Sequence, residues 1–124
     1  MVQQDLGGKS IVSFSTCRVE KRALVVDVTE YHTATGEGCL PLDNDILIHV
    51  GPATPGAVPP LDKIRVFRVP QGTMVVLRPG IWHHAPFTAD NKPANVLIVL
   101  PERTYANDCV VVEMKKGDQI GITV

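Results

Sequence analysis

The sequence predicts an all-β fold, a barrel or sandwich built from short strands. Three observations carry that expectation. The apolar segments are short and rich in Val and Ile, turn residues punctuate them at roughly even spacing, and no stretch sustains an apolar period of 3.6 residues. Ten prolines point the same way, because proline interrupts helices. At most a single helical turn is expected.

The segments follow in order. IVSF (11–14) comes after the Gly7-Gly8 turn signal, and ALVVDV (23–28) is the next β-branched run. A polar stretch, TEYHTATGEGCLPL (29–42), bends at Gly36-Glu37-Gly38 and continues into an apolar strand. DILIHV (45–50) starts after Asp43-Asn44. GPATPGAVPP (51–60) is a loop too short to separate domains. KIRVFRV (63–69) ends at Pro70-Gln71-Gly72, TMVVL (73–77) ends at Pro79-Gly80, NVLIVL (95–100) follows Asn91-Lys92-Pro93, and CVVVEM (109–114) ends at Lys116-Gly117-Asp118.

The 124 residues suit one domain, 1–124, with one core. A hydrophobic share of 44% is in the globular range and argues against a disordered chain. The net charge of −1 leaves no basic footprint for nucleic acid and no polybasic patch for a membrane surface. No apolar run approaches the roughly 18 residues of a membrane span. The start, MVQQDLGGKS, lacks the charged-then-apolar pattern of a signal peptide. These features predict a soluble, cytoplasmic protein. The cysteines Cys17, Cys39 and Cys109 are odd in number and form no C-x-x-C pair, so they read as reduced thiols packed as small hydrophobes.

Two polar clusters carry the candidate chemistry. In the first, Glu30 and His32 are two residues apart and share a strand face, and Glu37 follows across the glycine-flanked bend. Carboxylates and imidazoles bind divalent metals or move protons near neutral pH. The second is RPGIWHHAPF (78–87), which holds the chain's one Trp and two of its four histidines. On a regular strand Trp82 and His84 share one face and His83 takes the other, so both histidines reach one ligand only through a bulge. His83 is the one expected to face the ligand, with Trp82 as an apolar wall. His49 reads as structural. Arg65, Arg68 and Arg78 are candidates for a carboxylate clamp, since a guanidinium binds carboxylate through two parallel bonds. Each has a plainer alternative: a surface histidine, a carboxylate at a bend, a solvated edge arginine.

Pro79-Gly80-x-x-His83 preceded by Gly72 resembles the second motif of cupins. Glu30-x-His32-x4-Glu37 occupies the place of the first, with Glu30 standing where a histidine is usual. The order E-Y-H, C-L-P-L, R-V-F, G-I-W-H-H-x-P and D-C-V-V-V-E, over residues 29–114, resembles the ureidoglycolate lyase family, which is cupin-like. The chain departs from that family where it has Ser/Thr-Gln-Ala-Phe, carrying Gly36-Glu37-Gly38-Cys39 instead. An extra residue, Ala85, separates the histidines from Pro86.

The resemblance implies a cupin-type double-stranded β-helix, a jelly-roll barrel. It implies a homodimer and a carbon–nitrogen lyase of allantoin degradation, splitting ureidoglycolate into glyoxylate and urea. His83 or Glu37 is then the base, His32 the acid, and Arg65 or Arg78, with Trp82 and His84, binds a small-molecule carboxylate. The alternative is a metal-binding cupin of other specificity, with Glu30, His32, Glu37 and His83 holding one divalent ion. Glu37 itself marks a changed substrate or metal dependence. Against a substrate carboxylate 4 Å away it costs on the order of 4 kcal/mol unless a cation intervenes.

Overall fold

The computed structural model describes all 124 residues. The strands are β1 (Val12–Val19), β2 (Val25–Val26), β3 (Val28–Tyr31), β4 (Glu37–Pro41), β5 (Ile46–Val50), β6 (Arg65–Val69), β7 (Val75–Leu77), β8 (Phe87–Thr88), β9 (Ala94–Pro101), β10 (Val110–Glu113) and β11 (Ile120–Gly121). A single helical turn, α1 (Thr104–Asn107), links β9 to β10. No helix is long and apolar enough to cross a membrane.

One sheet has the order β1-β9-β4-β7, all antiparallel. Opposite it, β10 pairs with β3, and β5 pairs with β6 and β8. Residues 82 and 83 stitch these together through two bridges, Glu30 to His83 and Gly51 to Trp82. β2 and β11 form a small outer pair.

β9 shows why the sequence folds this way. Ala94, Val96, Ile98 and Leu100 are buried while the residues between them are only half covered, which is the period of two of a strand with one face in a core. Those four pack with Val19, Cys39, Ile46, Ile48 and Val69 between the sheets. A second cluster, Val26, Leu47, Ile64, Phe87 and Met114, lies on the other side of β5. β5 is therefore buried on both faces, which is why DILIHV reads as a continuous apolar run.

Several sequence boundaries shift. ALVVDV divides into β2 and the start of β3, and Lys63 lies in a 3-10 turn (Leu61–Lys63) ahead of β6. IVSF grows into the eight-residue β1, whose residues 13–18 are exposed because β1 is an edge strand paired only with β9. The thiols divide: Cys39 is buried as expected, but Cys17 is exposed on that edge.

Candidate active site

The Pro79-Gly80 turn places the second histidine cluster. Gly80 has φ +81, the Ile81 N–H returns to the Arg78 carbonyl at 3.2 Å, and the Gly80 N–H donates to the His32 carbonyl at 2.7 Å. This is the positive-φ position at which a turn of this kind needs glycine. The chain then runs antiparallel to β3. The Glu30 N–H donates to His83 O at 2.6 Å, and the His83 N–H to Glu30 O at 2.8 Å. Residues directly opposite share a face, so Glu30 and His83 stand side by side.

Glu37 enters from the facing sheet, as the first residue of β4, beside Gly36. A Cβ at Gly36 would lie 2.6 Å from the Leu77 carbonyl oxygen, so glycine lets β4 approach β7 here. The Glu37 Oε2 atom lies 2.9 Å from His32 Nε2 and 3.0 Å from His83 Nε2. Each imidazole is held by its other nitrogen. His32 Nδ1–H donates to the Asp108 carbonyl at 2.7 Å, and His83 Nδ1–H to the Ile81 carbonyl at 2.8 Å. A carbonyl only accepts, so both Nδ1 atoms carry hydrogen and both Nε2 atoms are turned towards Glu37.

Asp108 supplies the rest of the frame. Its carboxylate accepts from the Thr33 N–H and hydroxyl, both at 2.6 Å, from the Ala34 N–H at 2.9 Å and from the Thr35 N–H at 3.3 Å. It thereby pins the loop between His32 and Glu37. Glu30 is approached by the Cys109 thiol at 3.5 Å and by His84 Nε2 at 3.9 Å.

Burial and charge set the protonation. Burial pushes the Glu37 carboxyl up, but the His32 and His83 hydrogen bonds and charges outweigh it and hold it down to about 2. Burial pulls His32 down, and the bonds to Glu37 and to the Asp108 carbonyl more than reverse this. Burial lowers His84, opposed in part by Glu30. Burial, then the Glu30 charge and hydrogen bond, raises Cys109 to about 12, and burial, then the Glu37 charge, does the same to Cys39. Neither thiol is a ready nucleophile.

The four residues fit a divalent ion. One donor atom from each of Glu30, His32, Glu37 and His83 lies within 4.8 Å of all the others, and all four side chains are buried. A set of two imidazoles and two carboxylates suits a divalent transition ion. Nδ1–H bonds to backbone carbonyls are the usual outer support of metal-binding histidines.

The other expected residues lie elsewhere. Trp82, expected as a pocket wall, takes the face opposite His83 and is core: it is buried, edge-on to Tyr31 at 4.6 Å between ring centroids, with Nε1–H donating to Thr54 Oγ1 at 2.9 Å. Arg65 is exposed and donates to the Asp62 and Ile64 carbonyls, and Arg68 is paired with Asp45. Arg78 is exposed and borders a cavity of about 580 Å³ with Met1, Val2 and Gln3, which shares no residue with the cluster. His49 is structural as expected: it lies on the Leu47 side of β5, fully buried, with Nε2 3.0 Å from Thr29 Oγ1.

A bulge lies beside the histidine pair. Between the pairs Gly51–Trp82 and Leu47–Phe87, residues 48–50 of β5 face residues 83–86, so three residues oppose four. Arg22 holds this bulge, donating to the Ala85 and Pro86 carbonyls at 2.8 and 2.7 Å and stacking 3.8 Å above the Phe87 ring. Sequence reading missed Arg22 and found no chemistry for Asp108. The extra Ala85 was the one available sign of the bulge.

A family model described as ureidoglycolate lyase matches residues 1–121. No curated protein matches the chain. Among solved structures, the chain is similar to oxalate decarboxylase of Bacillus subtilis, whose structure concerns Mn(II) centres, at TM-score 0.56 and 16% identity over 82% of this chain and 23% of that one. Oxalate decarboxylase of Lactobacillus farciminis, in a formate complex, gives 0.54 and 12% over 90% and 26%. Peruvianin-I, described as a cysteine peptidase from Thevetia peruviana latex, gives 0.58 and 12% over 84% and 57%. The chain thus spans about a quarter of the decarboxylase chains and just over half of Peruvianin-I. At these identities the likeness is one of fold, the cupin β-barrel.

Proposed function

We propose a mechanism from one premise: this chain belongs to the ureidoglycolate lyase family, and is a carbon–nitrogen lyase acting on a small carboxylated ureido compound. The substrate we infer is ureidoglycolate, a hemiaminal. Its collapse to glyoxylate and urea consumes no water. The hydroxyl proton leaves as the carbon–nitrogen bond breaks, the carbon becomes a carbonyl, and a proton goes to the departing nitrogen.

The observation that carries this reading is Glu37 Oε2 between His32 Nε2 and His83 Nε2 at 2.9 and 3.0 Å. His83 takes the hydroxyl proton at Nε2. His32 gives its Nε2 proton to the leaving nitrogen, and Glu37 Oε2, bonded to both rings, passes the proton from His83 back to His32. General acid–base help of this kind is worth roughly 10²–10⁴-fold. As the alternative to this relay, Glu30, His32, Glu37 and His83 would hold a divalent ion, which when bound supplies Lewis-acid polarisation of a substrate oxygen. The test incubates purified protein with ureidoglycolate, with and without chelator, and assays glyoxylate and urea. Equimolar release of both is the expected result, and no release of either would overturn the reading.

The setting we propose is a cytoplasmic homodimer of one cupin-like domain, 1–124, binding no nucleic acid or membrane. Three free thiols suit a reducing compartment, and the long exposed edge of β1, with Phe14 68% exposed, suits a second copy. Light scattering that gives a monomer mass at micromolar concentration would exclude the dimer.

A further inference from the structure

The proposed substrate carries a carboxylate, and the arginines expected to hold it do not reach the cluster. Four of the chain's six arginines are engaged. Arg18 pairs with Glu20, Arg22 and Arg65 donate to backbone carbonyls, and Arg68 pairs with Asp45. Arg78 borders the other cavity, whose Leu77 pairs with Glu37. Arg103 is the second arginine outside these pairings. It borders a cavity of about 470 Å³ that Ser13, Ser15, Cys17, Leu100 and Tyr105 also line. That volume suits a small-molecule site.

This cavity adjoins the Glu37 cluster. The register of β4 and β9 pairs Gly38 with Val99 and Cys39 with Ile98. Continued one step, that register sets Leu100 across from Glu37, so one lining residue of the cavity neighbours the cluster. From the other side, the Tyr105 ring centroid lies 6.4 Å from that of His32. Arg103 is also the one non-glycine residue with positive φ, at 56°, and no side-chain bond caps α1 there. Glycine would adopt this backbone without strain. An arginine held in a conformation that disfavours its side chain, beside a polar-rimmed cavity, points to a role for the guanidinium.

We propose that Arg103, with the Ser13 and Ser15 hydroxyls, forms the carboxylate subsite, taking the carboxylate of a small 2-oxo or 2-hydroxy acid. The guanidinium grips that carboxylate, and the reacting carbon bonded directly to it lies on the Tyr105 side, turned towards Glu37 and the two histidines. The link to turnover rests on the lyase reading above, but carboxylate binding stands apart from it. The experiment uses Arg103→Gly and Arg103→Lys in the full chain, with glyoxylate, oxalate and urea as probes in calorimetry, and thermal melts as control. Arg103→Gly removes the strain, so it is expected to melt at or above the wild-type temperature, yet to bind glyoxylate and oxalate at least about tenfold more weakly. Arg103→Lys keeps the charge without the fork and should fall between. Urea binding should not change. Wild-type protein that binds neither acid, or an Arg103→Gly variant that binds both unchanged, would overturn the subsite. Arg103-dependent binding in a protein that does not cleave ureidoglycolate would keep the subsite and remove the lyase reading.

Discussion

Glu37 and His83, forty-six residues apart, meet at 3.0 Å between Oε2 and Nε2, and that same oxygen lies 2.9 Å from His32. One carboxylate oxygen thus serves two imidazoles whose other nitrogens are both held by backbone carbonyls. Glu37→Gln tests this arrangement with almost no change of shape. The amide cannot take a proton and is a poor ligand for a hard cation. We expect bound divalent metal to fall and ureidoglycolate turnover to drop by roughly 100-fold or more, read by elemental analysis and urea release. A variant that instead turns over faster would make Glu37 a repulsive neighbour of the substrate carboxylate.

Asp108 acts through the loop 33–35 and through its own carbonyl on His32. Asp108→Ala leaves three N–H groups and a hydroxyl without their acceptor, with the carboxylate itself normally held below its usual pKa by those bonds despite partial burial. The expected losses are about 1–3 kcal/mol of stability and about 10–100-fold in metal affinity. Urea melts and a metal competition titration measure them separately. Unchanged metal affinity in the folded variant would reduce Asp108 to a loop anchor.

Gly80→Ala should cost about 1–2 kcal/mol, because φ at +81 is disfavoured for any side chain and the new Cβ would sit 3.0 Å from Ala53 Cβ. The turn also holds the His32 carbonyl, so the variant should weaken metal binding along with the melting temperature.

His49 gives a pH signature. Burial, reinforced by the charges of His83, His84 and Arg22, lowers its pKa to about 3. Its unfolded value is about 6.5. Between these values the unfolded chain binds a proton at His49 that the folded chain does not. The stability this group contributes is therefore full above pH 6.5 and is lost as pH falls towards 3, at a slope of at most about 1.4 kcal/mol per pH unit. His32, whose pKa is raised, acts with the opposite sign and above its unfolded value, outside this window. Chemical melts from pH 7 to 4.5 should show a shallower fall for His49→Gln than for wild type. Parallel curves would place the acid sensitivity elsewhere.

Much of this protein is determined by its sequence alone. The period of two in NVLIVL, the buried run DILIHV and the Pro-Gly turn before His83 are local patterns, and each forms the element they imply. Glu30, His32 and Glu37 are legible together from their spacing on one strand face and bend, and the resemblance to the two cupin motifs is what joins His83 to them. What the tertiary structure decided involves partners far apart in the chain. Asp108 reaches the loop 33–35 across more than seventy residues, Arg22 reaches the bulge at Ala85 across sixty-three, and both depend on which strands lie side by side. Trp82 went to the core because pairing with Gly51 and contact with Tyr31 and Thr54 fixed its face. Arg103 emerged beside the cavity because β1 and β9 bring Ser13 and Leu100 together at that end of the barrel. Periodicity and turn chemistry are properties of neighbouring residues, whereas register and packing join residues whose separation no local pattern records.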